Sequence, residues 1–177
     1  MKPFPRTWIE VDLPALSGNL GILRETIGPE PKLGLVAKAD AYGHGLVPVA
    51  RAATQSGVSW LCVATVQEGI ALRDSGIDCP ILVLSPILPL EAEQAVFYNL
   101  RVHVEDIEVA SAMSDAAERQ GTTARIHLKV DTGISRFGAL PQEVQPLASA
   151  LHLLPSLELE GISTHFADSA ADPERTE

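Results

Sequence analysis

Ten consecutive residues, Val36-Ala37-Lys38-Ala39-Asp40-Ala41-Tyr42-Gly43-His44-Gly45, bring together most of the groups in this chain that could do chemistry. The apolar run over residues 33–37, bounded upstream by Pro31, reads as a buried strand. Lys38 stands where that run turns polar. Burying an ammonium is costly, so a lysine there either reaches out to water or has a lowered pKa. A desolvated lysine is an amine nucleophile that forms Schiff bases with carbonyls. Tyr42 adds a hydroxyl on a rigid ring, and Gly43-His44-Gly45 leads into a helical pattern from Leu46. A strand, a lysine, a glycine loop and a helix N-terminus in that order can read a phosphate. The plainer alternative is a solvated lysine on a strand rim.

Two further stretches carry usable groups. In Lys129-Val130-Asp131-Thr132-Gly133-Ile134-Ser135-Arg136-Phe137-Gly138, an apolar strand gives way to a loop in which Gly133 and Gly138 permit tight turns. Arg136 offers planar donors that match a carboxylate or a phenolate oxygen. Gly161-Ile162-Ser163-Thr164-His165-Phe166-Ala167 places His165 at the end of another strand. The four lysines are Lys2, Lys32, Lys38 and Lys129, and the last two lie in apolar strand patterns, the wrong place for lysines that serve solubility. His44 belongs to the glycine loop. His103, His127 and His152 form no comparable arrangement, and no histidine–carboxylate pair has metal-ligand spacing.

The elements that must position these groups alternate regularly. Residues 7–11 alternate apolar and polar and read as a short strand. A helix starts at Asp12, with Pro14 in its first turn, and Leu16, Leu20, Leu23 and Ile27 recur at helical spacing before Gly28-Pro29 ends it. Strands are predicted at residues 33–38, 59–64, 81–84, 100–104, 124–130 and 157–165. Helices are predicted at 46–56, 66–75, 90–98, 107–120 and 141–154, with Gly57, Gly76 and Gly121 as stops. The strands are continuous apolar runs, which points to a parallel sheet covered by helices. Their spacing, about 20 to 35 residues, predicts an α/β fold of the TIM-barrel type, with an open doubly wound sheet as the alternative. No Gly-x-Gly-x-x-Gly follows the first strand, which weakens that alternative. A complete eight-stranded barrel takes about 250 residues. These 177 residues stop after strand six, so the barrel is expected to be incomplete. The polar, acidic stretch from residue 167 to 177 reads as loop or the start of another helix.

Residues 38–45 closely resemble the pyridoxal-phosphate motif of alanine racemases. Residues 129–138 resemble that family's Lys-x-Asp-Thr-Gly-x-x-Arg-x-Gly pattern, and residues 164–167 its Thr-His-Phe-Ala stretch. The resemblance implies a fold-type III pyridoxal-phosphate barrel and interconversion of L- and D-alanine, which supplies D-alanine for peptidoglycan. It implies that Lys38 carries the cofactor and is one of two bases, and that the Tyr42 hydroxyl touches the cofactor phosphate. It implies that Arg136 bonds the cofactor's phenolic oxygen and sets the substrate carboxylate, and that the imidazole of His165 stacks on the cofactor ring. The lysine at the position of Lys129 is often carbamylated in the family. A carbamate there would be an anion able to pair with Arg136, replacing a like-charge clash. Phe137 stands where the family commonly has leucine, a packing variation.

The family's second base is a tyrosine from a separate C-terminal β-domain, contributed across a homodimer. Tyr98, the other tyrosine, lies in a helix pattern. Residues 1–177 are therefore expected to be the N-terminal part of such an enzyme, inactive alone and self-associating through unpaired strand edges. A non-catalytic pyridoxal-phosphate carrier with a lone barrel is the alternative, and a phosphosugar-binding barrel leaves the three motifs unexplained. A formal charge of −10 argues against nucleic acid or anionic membranes as partners. No run of about 20 apolar residues occurs, and Met1 to Arg6 lacks the apolar core of a secretory signal. Cys62 and Cys79 match no metal spacing and read as buried, reduced thiols of a cytoplasmic protein.

Overall fold

Short runs of β-branched and leucine residues can bury both faces only if helices cover them from outside and other strands face them from inside. The computed structural model, which describes residues 6–168, shows that solution. Six strands form: β1 (Gly34–Val36), β2 (Trp60–Val63), β3 (Ile81–Val83), β4 (Arg101–Val104), β5 (Ala124–Lys129) and β6 (Leu157–Ser163). All neighbours pair parallel, in the order β1-β2-β3-β4-β5-β6. A doubly wound sheet reverses its strand order midway. This one never does, so the fold is an incomplete barrel rather than an open doubly wound sheet.

The sheet also curls. Two strands separate β2 from β5, yet the rings of Trp60 and His127 meet edge to face with centroids 5.4 Å apart. Arg101 lies 5.7 Å from the Trp60 ring centre and pairs with Glu160 at 3.1 Å. His127 bonds the same carboxylate at 3.1 Å. Glu160 reaches these groups because β6 bulges there: Ile126 pairs with Leu159 and His127 with Gly161, leaving Glu160 as the extra residue. A Cβ at position 161 would fall 3.0 Å from the His127 ring, so any larger residue would have to push that ring aside.

Leu61, Leu72, Ile81, Leu100, Met113, Ile126, Leu128 and Leu151 are among the largest fully buried side chains, and each stabilises the fold by about 1.5–3 kcal/mol. Below the strands, at their N-terminal ends, Arg73 donates to the carbonyls of Ile77, Cys79, Tyr98 and Asn99 and ties the loops before β3 and β4 together. The strands at either end of the sheet pair on one side only among the described residues. Val36 in β1 is 39% exposed and Ile162 in β6 is 62% exposed.

Most predicted helices form within a few residues of their expected bounds. Residues 7–11, predicted as a strand, do not form one: they have no ladder partner among the described residues, and Ile9 is 81% exposed. An alternating pattern is not a strand until another strand accepts its hydrogen bonds. The expectation for the stretch ending at residue 177 lies, beyond Asp168, outside the described residues. Cys62 and Cys79 are free but only partly buried, and burial pushes the Cys62 thiol up to about 11. No helix among the described residues is long and apolar enough to cross a membrane.

Candidate active site

β1 ends at Val36, and Lys38 opens a turn of unusual hand. Ala39, Asp40, Ala41 and Tyr42 have φ of 52°, 54°, 53° and 55°, and Gly43 follows at 84°. Four consecutive L-residues wound left-handed are disfavoured by about 1–2 kcal/mol each. The turn must therefore be held by its surroundings. The Leu46 N–H donates to Asp40 Oδ1 at 2.7 Å, the Gly45 N–H to the Asp40 carbonyl at 2.9 Å, and His44 Nδ1–H to the Ala41 carbonyl at 2.9 Å. These bonds alter the expectation for the glycine loop. Its N–H groups and that of Leu46 are already satisfied within the turn, so the loop shapes the site rather than presenting free donors to a phosphate. His44 acts on the turn alone.

The loop carrying Arg136 is closed at its base. The Ala139 N–H donates to the Lys129 carbonyl and the Asp131 N–H to the Ala139 carbonyl, both at 2.9 Å. Asp131 Oδ1 accepts the Gly133 and Ser135 N–H groups at 2.9 and 3.0 Å, which hold its carboxyl below the usual carboxylate range. Gly138 has φ 129°, and its N–H donates to the Glu105 carboxylate. A Cβ there would sit 2.7 Å from the Asp131 nitrogen, so no other residue fits. Thr164, beside His165, donates to the Val130 carbonyl at 2.9 Å and accepts from Thr132 at 2.7 Å, joining the loop to the end of β6.

These local structures converge. A cavity of about 670 Å³ at the C-terminal ends of the strands is lined by Lys38, Tyr42, Lys129, Arg136 and His165, with Leu84, Ser85 and Pro86 as part of its wall. In barrels of this type that end is where chemistry is done. All five residues singled out from the sequence face this one space. Lys129 is 4% exposed, and burial, then the nearby Arg136, lowers its pKa. The Phe137 ring is close to both cations: its centre is 5.8 Å from the Lys129 Nζ and 5.3 Å from the Arg136 guanidinium carbon. Tyr98 lies away from this cavity, near Arg73.

Sequence reasoning passed over His103, which also lines the cavity at 6% exposure. Its Nδ1 donates to the Leu84 carbonyl at 2.9 Å, so its Nε2 is left to accept the Ser163 hydroxyl at 2.8 Å. Burial, then Lys129 and His127, pushes its pKa down to about 4, although the Leu84 bond opposes this. The imidazole is thus a neutral strut beneath Lys129. Only the position of His103 in a strand was visible in the sequence; its neighbours depend on the curl of the sheet.

Comparison with known proteins gives a consistent result. Residues 11–177 match the model of a family described as alanine racemase, N-terminal domain. The chain is 42% identical over 173 residues to the alanine racemase of Methylacidiphilum infernorum, a match that covers 98% of this chain and 45% of that protein. It is 47% identical over 167 residues to that of Symbiobacterium thermophilum, covering 94% and 43%. Among solved structures, alanine racemase from Bacillus anthracis with bound L-Ala-P superposes with a TM-score of 0.88 at 35% identity, covering 98% of this chain and 45% of that one. The Clostridium difficile enzyme in complex with cycloserine gives 0.85 at 34% identity, covering 93% and 45%. The chain spans a little under half the length of the relatives it matches.

Proposed function

This chain belongs to the alanine racemase family, of which it holds the N-terminal domain, and on that premise we propose that it provides the pyridoxal-phosphate side of an enzyme interconverting L- and D-alanine. One observation carries the reading: an amine and a phenol from the turn after β1, a guanidinium from the loop after β5 and an imidazole from the end of β6 open onto one cavity of about 670 Å³. That donor set suits a phosphorylated aromatic aldehyde. Lys38 is half-buried and supplies the amine for the aldehyde. Tyr42 is 60% exposed and supplies a hydroxyl for the phosphate. The planar fork of Arg136 suits a phenolic oxygen and a substrate carboxylate. His165 supplies a flat ring to stack against.

When bound, the cofactor ring acts as an electron sink for the substrate's α-carbon. The chain's own residues do the rest. The Lys38 amine removes or returns the α-proton on one face. Lys129, whose lowered pKa leaves its amine neutral more readily, takes up carbon dioxide: an N–C bond forms, the nitrogen loses a proton, and the carbamate anion faces Arg136. Arg136 is then held by an anion and by the Phe137 ring, whose centre is 5.3 Å from its guanidinium carbon. The second base, a tyrosine, comes from outside these residues, across a homodimer. The enzyme works in the cytoplasm and supplies D-alanine for peptidoglycan.

Borohydride reduction with pyridoxal phosphate, followed by peptide mapping, tests the assignment. The label is expected on Lys38. A label on Lys129 alone overturns it. A label on Lys38 without any exchange of the alanine α-proton in the intact protein would instead mark a cofactor carrier.

A further inference from the structure

Glu68 is the third residue of the helix Val66–Asp74, where it closes a capping box with Thr65. The Ala64 and Thr65 N–H groups donate to its Oε2 at 2.7 and 3.3 Å, and its own N–H donates to Thr65 Oγ1 at 3.2 Å. A helix cap needs no more than that. The other oxygen, Oε1, accepts the Ala39 N–H at 2.7 Å, across 29 positions of sequence. Ala39 directly follows Lys38 and is the first left-handed residue of the turn that ends at Tyr42. One carboxylate therefore joins the loop after β1 to the loop after β2, at the peptide from which the Lys38 side chain departs.

We propose that Glu68 is a positioning residue of this site, pinning the left-handed turn at its Lys38 end and so fixing where the Lys38 amine stands relative to the Tyr42 hydroxyl. The inference rests on the reading of Lys38 as the cofactor lysine. Glu68 is not among the residues lining the cavity and acts through the backbone. Among the described residues it is the only side chain that holds the start of the turn; Asp40 and His44 hold its end. Hydrogen bonds to a carboxylate are short and stronger than neutral ones. With this one gone, Ala39 relaxes toward the right-handed or extended backbone that alanine prefers, and the Lys38 peptide moves with it.

Glu68→Gln in the intact protein separates the two duties. Its amide oxygen still accepts from Ala64 and Thr65, while its NH2 group cannot accept the Ala39 N–H. Thr65→Ala is the converse: it weakens the cap and leaves the Ala39 bond in place. The readouts are hydrogen exchange at Ala39, the rate of borohydride-trapped pyridoxal phosphate capture on Lys38, and kcat against KM. For Glu68→Gln, exchange at Ala39 is expected to quicken about tenfold or more, the equivalent of one charge-assisted bond. Capture should slow, and kcat should fall by a larger factor than KM rises. Thr65→Ala should lower the melting temperature and leave those three readouts at their original values. The proposal is overturned if Glu68→Gln leaves Ala39 exchange and Lys38 capture unchanged, or if Thr65→Ala reproduces its effects. If the unsubstituted protein captures no cofactor on Lys38, the functional reading fails instead, and the exchange measurement still reports on the clamp.

Discussion

His103 makes the fold sensitive to mild acid in a way that can be measured. Free histidine titrates near 6.5, whereas burial beneath Lys129 and beside His127 pushes His103 down to about 4. The unfolded chain therefore takes up a proton, over that interval, that the folded chain refuses. For a depressed pKa the contribution to stability is complete above the unfolded value and is lost as pH falls toward the folded one. Each pH unit is worth about 1.4 kcal/mol. The contribution should fall by about 2 kcal/mol by pH 5 and by about 3 kcal/mol near pH 4, a large share of a typical domain's stability. His103→Asn removes the titrating group while keeping a donor for the Leu84 carbonyl. Urea denaturation of the intact protein and of the variant, at several values between pH 7.5 and pH 4.5, gives the two slopes. The variant should start less stable and lose less, and calorimetry should find about one proton fewer taken up on unfolding near pH 5. Parallel loss in the two proteins would refute the argument, because the carboxylates they share would then account for all of it.

Arg136→Lys keeps the charge but loses the planar fork, and kcat/KM for alanine should fall about tenfold or more; an unchanged rate would remove Arg136 from the chemistry. Gly138→Ala forces a Cβ to within 2.7 Å of the Asp131 nitrogen at φ 129°, which should cost about 1–3 kcal/mol and reduce activity by displacing Arg136. Thermal melts and steady-state assays check both effects, and a melt at the original temperature would contradict the first. Because the Lys129 pKa is lowered, its amine becomes neutral at a lower pH than an ordinary lysine's, so carbamate formation should persist to lower pH. Protein loaded with isotope-labelled bicarbonate should show a carbamate carbon resonance that Lys129→Gln abolishes, and its absence from the unsubstituted protein would end that role for Lys129.

The alternation of strands and helices was legible because the runs are long and the stops are glycines: Gly57, Gly76 and Gly121 all adopt positive φ at or just after helix ends. Lys38 and His165 were legible because each stands where an apolar run turns polar, and Arg136 because it follows such a run within a short glycine-bearing loop. Other features could not be read in this way. Nothing in Ala39 or Ala41 favours a left-handed backbone, so the turn is imposed by partners elsewhere in the chain. Thr65 and Glu68 spell out a capping box, but a box does not say that the spare oxygen crosses to another loop. Gly161, inside a strand pattern, was a visible sign of a bulge. That Glu160 would meet Arg101 and His127 required knowing how far the sheet curls.

The left-handed turn has a consequence for the order in which the molecule is built. Its local sequence prefers other conformations, so in the unfolded chain it is essentially unpopulated. It becomes stable only once the segment after β2 has delivered Glu68 and the helix Leu46–Gln55 has delivered its first N–H to Asp40. Scaffold is expected to come first, and the segment bearing Lys38 to set last, like a keystone lowered into a finished arch. A collapsed but immature chain would thus hold a packed core while the turn that positions Lys38 was still unformed. In pulsed exchange during refolding, the Ala39 amide should gain protection after those of β2 and β3, and earlier protection would reverse that order.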